Sequence, residues 1–242
     1  MKAVRGVTVV TRRSELQANL TALRSRLADA CSAAGRDPDG VTVVAVTKKW
    51  PASDVRLLAE LGVTDVGENR DQEAAPKARE LGDLRVTWHF LGQLQANKCR
   101  SVASYADVVH SVDRARLVSV LGRETRRAGR TLCCLVQADL EAGENVERGG
   151  VSPADAPPLG DEIAGTEGLT LGGVMGMAPQ GVDPAAAFTR LAGVSESLRK
   201  AHPGATMISA GMSGDLESAI AHGATHIRIG TALLGARTAD VR

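Results

Sequence analysis

Aromatic side chains are nearly missing from this chain: two Trp, two Phe and one Tyr make up 2% of its residues. A core without large rings has to be built from Val, Leu, Ala and Ile. Charge of one sign is missing too, because 29 Lys and Arg against 28 Asp and Glu leave a formal net charge of +1. Nucleic acid and anionic membrane surfaces call for a strong basic excess, so neither is expected as a partner. The four cysteines, Cys31, Cys99, Cys133 and Cys134, form no CxxC pair. That spacing predicts no zinc or other metal site, and it fits reduced thiols in a cytoplasmic protein. Long apolar runs are also lacking. The opening MKAVRGVTVVTRRSE holds only a four-residue apolar patch, too short for a signal peptide, and no segment approaches the length of a membrane span. The expectation is a soluble cytoplasmic protein.

What is present is a regular alternation of strand-like and helix-like segments. Leu16, Leu20, Leu23 and Leu27 recur at helical spacing and predict a helix over 12–34, ended by Gly35 and Pro38. The β-branched run VTVVAVTKKWP follows, read as a strand over 42–48 and closed by Pro51. Further strands are expected at 63–67, 87–92, 107–112, 131–139, 171–177, 206–210 and 226–230, each separated from the next by a helix-length stretch. The segment 154–164 reads as a weaker helix interrupted by Pro157 and Pro158. Eight strands alternating with helices over 242 residues predict an α/β fold, a single (β/α)8 TIM barrel over 1–242. A doubly wound sheet alternates in the same way, but no GxGxxG follows the first strand. About ten residues remain after the last strand, so the long first helix is expected to fill part of the outer ring.

In such a barrel the carboxyl ends of the strands converge on one rim, where ligands bind. The candidates there are Lys48, Asn69, His89, His110, Ser209, Ser213 and Arg228. In the last strand Ile227 and Ile229 share one face, suited to packing on helices, while His226, Arg228 and Gly230 share the other and point inward. An inward cation is costly unless it is paired or binds a ligand; the alternative is an exposed Arg228 in a frayed strand. Two stretches at adjacent strand ends suit an anion, Ala210-Gly-Met-Ser-Gly-Asp215 and Gly230-Thr-Ala232. They carry small residues, hydroxyls and backbone N–H groups where barrels commonly hold phosphate, although Gly and Ser belong in ordinary turns as well. A lysine amine across the barrel from a phosphate site suggests Schiff-base chemistry. Strand parity does not choose between Lys48 and Lys49: one register points Val44, Val46 and Lys48 inward, the other Val43, Ala45, Thr47 and Lys49.

The segments VAVTKKWP, VGENRDQE, WHFLGQLQANK, HSVD, GVMGMAP, SAGMSGDLESAI and HIRIGTALLGAR resemble, from about Leu16 to Arg237, the pyridoxal 5'-phosphate homeostasis proteins of the YggS/PROSC family. The resemblance implies a barrel similar to the N-terminal domain of alanine racemase, with pyridoxal phosphate held as an aldimine. It implies Lys48 as the Schiff-base lysine and Asn69 near the cofactor. Ser209, Met212, Ser213, Gly230 and Thr231 would then surround the phosphate, with Arg228 at the pyridine nitrogen. The chain departs from the family pattern at Arg70, where an aromatic is common, and at Ala210, Gln93 and Arg148. The last leaves the loop after the fifth strand without the family's lysine.

The role the resemblance implies is a cofactor carrier that buffers pyridoxal phosphate and supplies it to apo-enzymes, as a monomer or weak dimer, with no catalytic residue assigned. Two other readings use the same lysine. A racemase-like enzyme needs a second base, which in alanine racemase is a tyrosine from a separate domain, and the one tyrosine here, Tyr105, is far in sequence from the cofactor motifs. A Schiff-base aldolase acting on a sugar phosphate would purify colourless.

Overall fold

The structure, a computed structural model, describes residues 11–141, 149–179 and 181–236. Eight parallel strands close into a barrel in sequence order: β1 (Thr42–Val46), β2 (Asp65–Glu68), β3 (Thr87–Phe90), β4 (Val108–Val112), β5 (Leu132–Gln137), β6 (Leu169–Met175), β7 (Met207–Ser209) and β8 (His226–Ile229). The helices outside are α1 (Arg12–Ala33), α2 (Ala52–Glu60), α3 (Asp71–Glu80), α4 (Cys99–Tyr105), α5 (Ala115–Arg127), α6 (Ala156–Ala164), α7 (Ala185–Ala201), α8 (Leu216–Ala221) and α9 (Thr231–Leu234). The expected (β/α)8 barrel is therefore the architecture found.

The long first helix does close the ring. Thr11 caps α1 by accepting a hydrogen bond from the Ser14 backbone N–H at 3.2 Å. Leu16, Leu20, Leu23 and Leu27 then form a buried stripe against Ala45, Ile227, Ile229 and Leu233. Each buried leucine contributes about 2 kcal/mol of transfer free energy. Arg12 fastens the start of α1 to its neighbours. Its guanidinium donates to Asp54 of α2 at 2.8 Å and to the Leu234 carbonyl of α9 at 3.0 Å, and it lies 4.4 Å above the Trp50 ring.

Two expectations are corrected. Helix α6 is not interrupted by its prolines. It starts at Ala156, so Pro157 and Pro158 occupy the first turn, where a missing N–H costs nothing. Strand β1 stops at Val46 rather than at residue 48. Thr47 keeps one bond to β2, its N–H donating to the Gly67 carbonyl at 2.9 Å, but its carbonyl is taken by Lys77 Nζ at 2.8 Å and its hydroxyl donates to Glu68 Oε1 at 2.7 Å. The expected loop role around Arg148 falls on residues 142–148, outside the described residues.

The barrel interior is divided. Val108, Leu135 and Met175, with Cys133, Met177 and Met207 beside them, form an apolar half. The other half is a polar column of Asp65, His89, His110, Ser209, His226 and Arg228, joined by hydrogen bonds and ring contacts. The branched aliphatic layers usual in such barrels fill only one side here.

Candidate functional site

Parity leaves Lys48 and Lys49 open; the fold separates them. Val44 pairs with Arg228 and Ala45 with Ile229 across the β1–β8 ladder. Ala45 and Ile229 pack outward under α1, so Val44 and Arg228 face the interior. Beyond Val46 the chain turns. Lys49 takes a left-handed φ of 64°, costly for a residue with a Cβ, and its N–H donates to Glu73 Oε2 at 2.7 Å. That turn sends the two side chains apart. Lys48 enters a cavity at the carboxyl rim, whereas Lys49 lines a separate groove with Arg12, Trp50 and Pro76.

Under the turn lies a buried ion pair. Lys77 Nζ is 2.6 Å from Glu68 Oε1, with the Glu68 side chain 1% exposed. Burial pushes the Glu68 carboxyl above the usual range, against the pull of Lys77 and of the bond from Thr47. Its second oxygen, Oε2, has no partner among the described residues. The sequence gives no sign of this pair, because position 68 reads as the end of a strand and position 77 as an exposed helix turn.

The rim cavity holds about 350 Å³. Of the residues expected to hold a cofactor, Lys48, Asn69, Met212, Ser213, Arg228, Gly230 and Thr231 line it. Val46, Leu91, Met175, Met177 and Gly214 join them. Their apolar surfaces suit the faces of a ring, a role that reading for polar groups alone passes over. Asn69 is fixed from behind by Gly92. A Cβ at Gly92 would sit 1.9 Å from the Asn69 carbonyl oxygen, so the backbone of the β3 end has to be bare there.

Ser209 is the one expected residue that does not line the cavity. It is fully buried behind Arg228, and its Oγ accepts from Arg228 Nη1 at 2.8 Å and pairs with His110 Nδ1 at 2.9 Å. Arg228 is itself 6% exposed. It also donates to the Ser209 carbonyl at 2.7 Å and to the Gly176 carbonyl at 3.0 Å. Burial lowers its pKa to about 10, with Asp215 acting in the opposite sense. Three of the five guanidinium N–H bonds are thereby used, leaving two for a ligand.

The loop after β8 is next to Lys48, because β8 pairs with β1, so the expected place across the barrel is not the one found. On this wall the backbone N–H groups of Ser213, Gly214, Gly230 and Thr231 have no hydrogen-bond partner among the described residues. The hydroxyls of Ser213 and Thr231 lie on the same wall. Helices α8 and α9 are only six and four residues long, so the anion-binding character comes from these loop amides more than from a helix dipole. No group of three or more His, Cys, Asp or Glu side chains suited to a metal ion occurs among the described residues.

Tyr105 is remote from this chemistry. It sits at the end of α4, edge-on to Trp88 with ring centroids 6.4 Å apart, and its hydroxyl is buried without a partner among the described residues. Burial, then the fields of Asp71 and Glu68, drive its pKa upward. Tyr105 is not among the residues lining the rim cavity.

A parallel barrel with an amine, a buried guanidinium and a wall of unpaired amides around one cavity has the groups suited to a phosphorylated carbonyl compound at its carboxyl rim. The family model for the alanine racemase N-terminal domain matches residues 18–238. The pyridoxal phosphate homeostasis protein of Mycobacterium bovis is 42% identical over 245 residues, covering 93% of this chain and 94% of that protein. The protein of the same name from Escherichia coli is 35% identical, covering 93% and 97%. Among solved structures, PipY of Synechococcus elongatus with PLP bound is 34% identical with a TM-score of 0.78, covering 91% of this chain and all of that one. An alanine racemase of Clostridium difficile shares the fold alone, with a TM-score of 0.72 at 15% identity, over 94% of this chain and 58% of that one. The chain belongs to the pyridoxal phosphate homeostasis protein family, within the alanine racemase N-terminal domain group.

Proposed function

We propose that the rim cavity binds pyridoxal 5'-phosphate and that the protein buffers this cofactor and supplies it to apo-enzymes that need it. The observation that carries the reading is the set of groups on one 350 Å³ cavity: the Lys48 amine, the two spare N–H bonds of Arg228 and the four unpaired amides of the phosphate wall. Each matches one part of the cofactor. The amides of Ser213, Gly214, Gly230 and Thr231, with the Ser213 and Thr231 hydroxyls, would hold the phosphate. Arg228 would donate to the ring nitrogen, with Ser209 acting through it. Met212 would stand beside the phosphate and Asn69 near the cofactor. The names of the relatives and the cofactor-bound PipY support the same ligand.

Lys48 would fix the cofactor covalently. Its amine, when uncharged, would condense with the cofactor's aldehyde with loss of water, holding it through a C=N bond. The protein groups around that bond hold and orient. A donor-only guanidinium at the ring nitrogen would favour the unprotonated nitrogen, which would weaken the ring as an electron sink and favour holding over turnover. The test is spectroscopic. Protein mixed with pyridoxal phosphate is expected to gain a visible band that borohydride converts to a stable adduct on Lys48, and Lys48→Ala is expected to lose both. A reducible adduct surviving in the same cavity of Lys48→Ala would overturn the assignment.

A further inference from the structure

The polar column in the barrel interior is larger than a cofactor cavity requires. Asp65 stands at the amino-terminal start of β2, on the opposite rim from Lys48. It lines a second cavity of about 460 Å³ with Arg24, Thr42 and Thr64. Between the two cavities runs an unbroken series of hydrogen bonds through residues that are 0–2% exposed. Asp65 Oδ1 to His89 Nε2 is 2.9 Å, His89 Nδ1 to His110 Nε2 is 2.8 Å, and His110 Nδ1 to Ser209 Oγ is 2.9 Å. Arg228 Nη1 then reaches the same Oγ at 2.8 Å.

The hydrogens in this series have one consistent arrangement. Arg228 has no acceptor, so Ser209 Oγ accepts from it. The only other partner of that hydroxyl among the described residues is His110 Nδ1, so Ser209 donates there. His110 then carries its hydrogen on Nε2 and donates to His89 Nδ1. His89 carries its own on Nε2 and donates to Asp65, an acceptor when ionised. The reverse arrangement needs a protonated Asp65 and strands the Ser209 hydrogen in a fully buried place, a cost of about 1–3 kcal/mol.

The ionisation states agree. Burial, with His89, Arg228 and His226 nearby, holds His110 well below the ordinary histidine range, hence neutral. Burial raises Asp65, but the hydrogen bonds it accepts from His89 and Thr64 outweigh it, so the carboxyl is held low and ionised. The groups facing His89 are Asp65 of β2, His110 of β4 and His226 of β8. Those facing Arg228 are Ser209, His110 and, at longer range, Asp215. All three groups that accept from Arg228 are neutral, so the anion that its cation is linked to through hydrogen bonds is Asp65, with three residues between them along the series.

We propose that Ser209, His110 and His89 form a one-way hydrogen-bonded relay that carries the charge state of Asp65, on the amino-terminal rim, to Arg228 in the cofactor cavity, making all four positioning residues for the bound ring. Only the last link, from Arg228 to the ring, rests on the cofactor reading above. Asp65→Asn keeps an acceptor for His89 and removes the charge. Losing a linked anion disfavours the protonated form of the bound chromophore, so its spectroscopic titration midpoint is expected to fall. His110→Phe, with His110→Asn beside it should the phenylalanine variant not fold, cuts the relay and is expected to shift the midpoint the same way. The double variant is expected to shift it no further than one single change, since a cut relay cannot transmit a second loss. No shift in Asp65→Asn would overturn the relay outright, and additive shifts in the double variant would replace it with a through-space field. In the unloaded protein, ¹⁵N imidazole NMR is expected to show His89 and His110 as neutral Nε2–H tautomers; an Nδ1–H tautomer at either refutes the arrangement. That readout decides the relay even if the wild-type protein gains no visible band, an outcome that would instead sink the cofactor reading.

Discussion

Lys77→Met tests how the turn that presents Lys48 is held. The substitution keeps the length of the side chain and removes the amine that bridges Glu68 Oε1, at 2.6 Å, and the Thr47 carbonyl, at 2.8 Å. Glu68 is 1% exposed and its other oxygen is already unpartnered, so the variant leaves a carboxylate supported by the Thr47 hydroxyl alone. Removing one partner of a buried pair costs about 3–5 kcal/mol. The Lys77 side chain keeps 12% exposure, and water entering there argues for the lower end, about 3 kcal/mol. With a urea slope near 3 kcal/mol per molar, the midpoint should fall by about 1 M. The pH dependence identifies the cause. A carboxyl whose pKa is raised on folding binds more protons folded than unfolded, so stability falls as pH rises from 4.5 through the raised value. Removing Lys77 raises that value further, so the defect should be large at pH 8 and should shrink on moving toward pH 5. Glu68→Gln combined with Lys77→Met should recover most of the loss. Urea unfolding at both pH values, followed by circular dichroism, measures it. A pH-independent loss below about 1 kcal/mol would show that the pair contributes no more than an exposed one.

Other consequences can be checked alongside it. Gly92→Ala puts a methyl 1.9 Å from the Asn69 carbonyl and should cost more than the ~1–3 kcal/mol of ordinary overpacking, visible as a lower urea midpoint; an unchanged midpoint would mean that the β2 and β3 ends separate easily. His226 is held at about 4 by burial and by His89, so between pH 6.5 and 4 the unfolded chain takes up a proton that the folded one refuses. Stability should fall as pH drops through that window, partly offset by the opposite sign of Glu68, and His226→Asn should flatten the fall in a denaturation series. Burial raises Cys99 to about 11, so at pH 8 it should react with a thiol reagent only as fast as the protein unfolds; rapid labelling of native protein would contradict its burial.

Some of the architecture was readable because it depends on local pattern. The leucine spacing of α1, the alternation of eight β-branched runs with helices and the inward parity of Arg228 against Ile227 and Ile229 are properties of short windows. The gathering of small residues and hydroxyls after β7 and β8 was readable as well, since Gly and Ser at adjacent strand ends meet in any closed parallel barrel. The family pattern singled out Lys48. The boundary of β1 and the behaviour of Pro157 and Pro158 were misread, the first because it depends on Lys77 and Glu68 from other elements, the second because proline is neutral only once the helix start is known.

The sequence by itself determined the repeating elements, the composition of the core and the residue types gathered at the rim, because periodicity and strand-end chemistry are local. Tertiary structure decided what each of those residues faces. It sent Lys48 into the cavity and Lys49 out of it through one left-handed residue, placed Ser209 behind Arg228, and joined Asp65, His89 and His110 across the barrel. Those partners are 19 to 99 residues apart in the chain, and only barrel closure brings them within hydrogen-bonding distance.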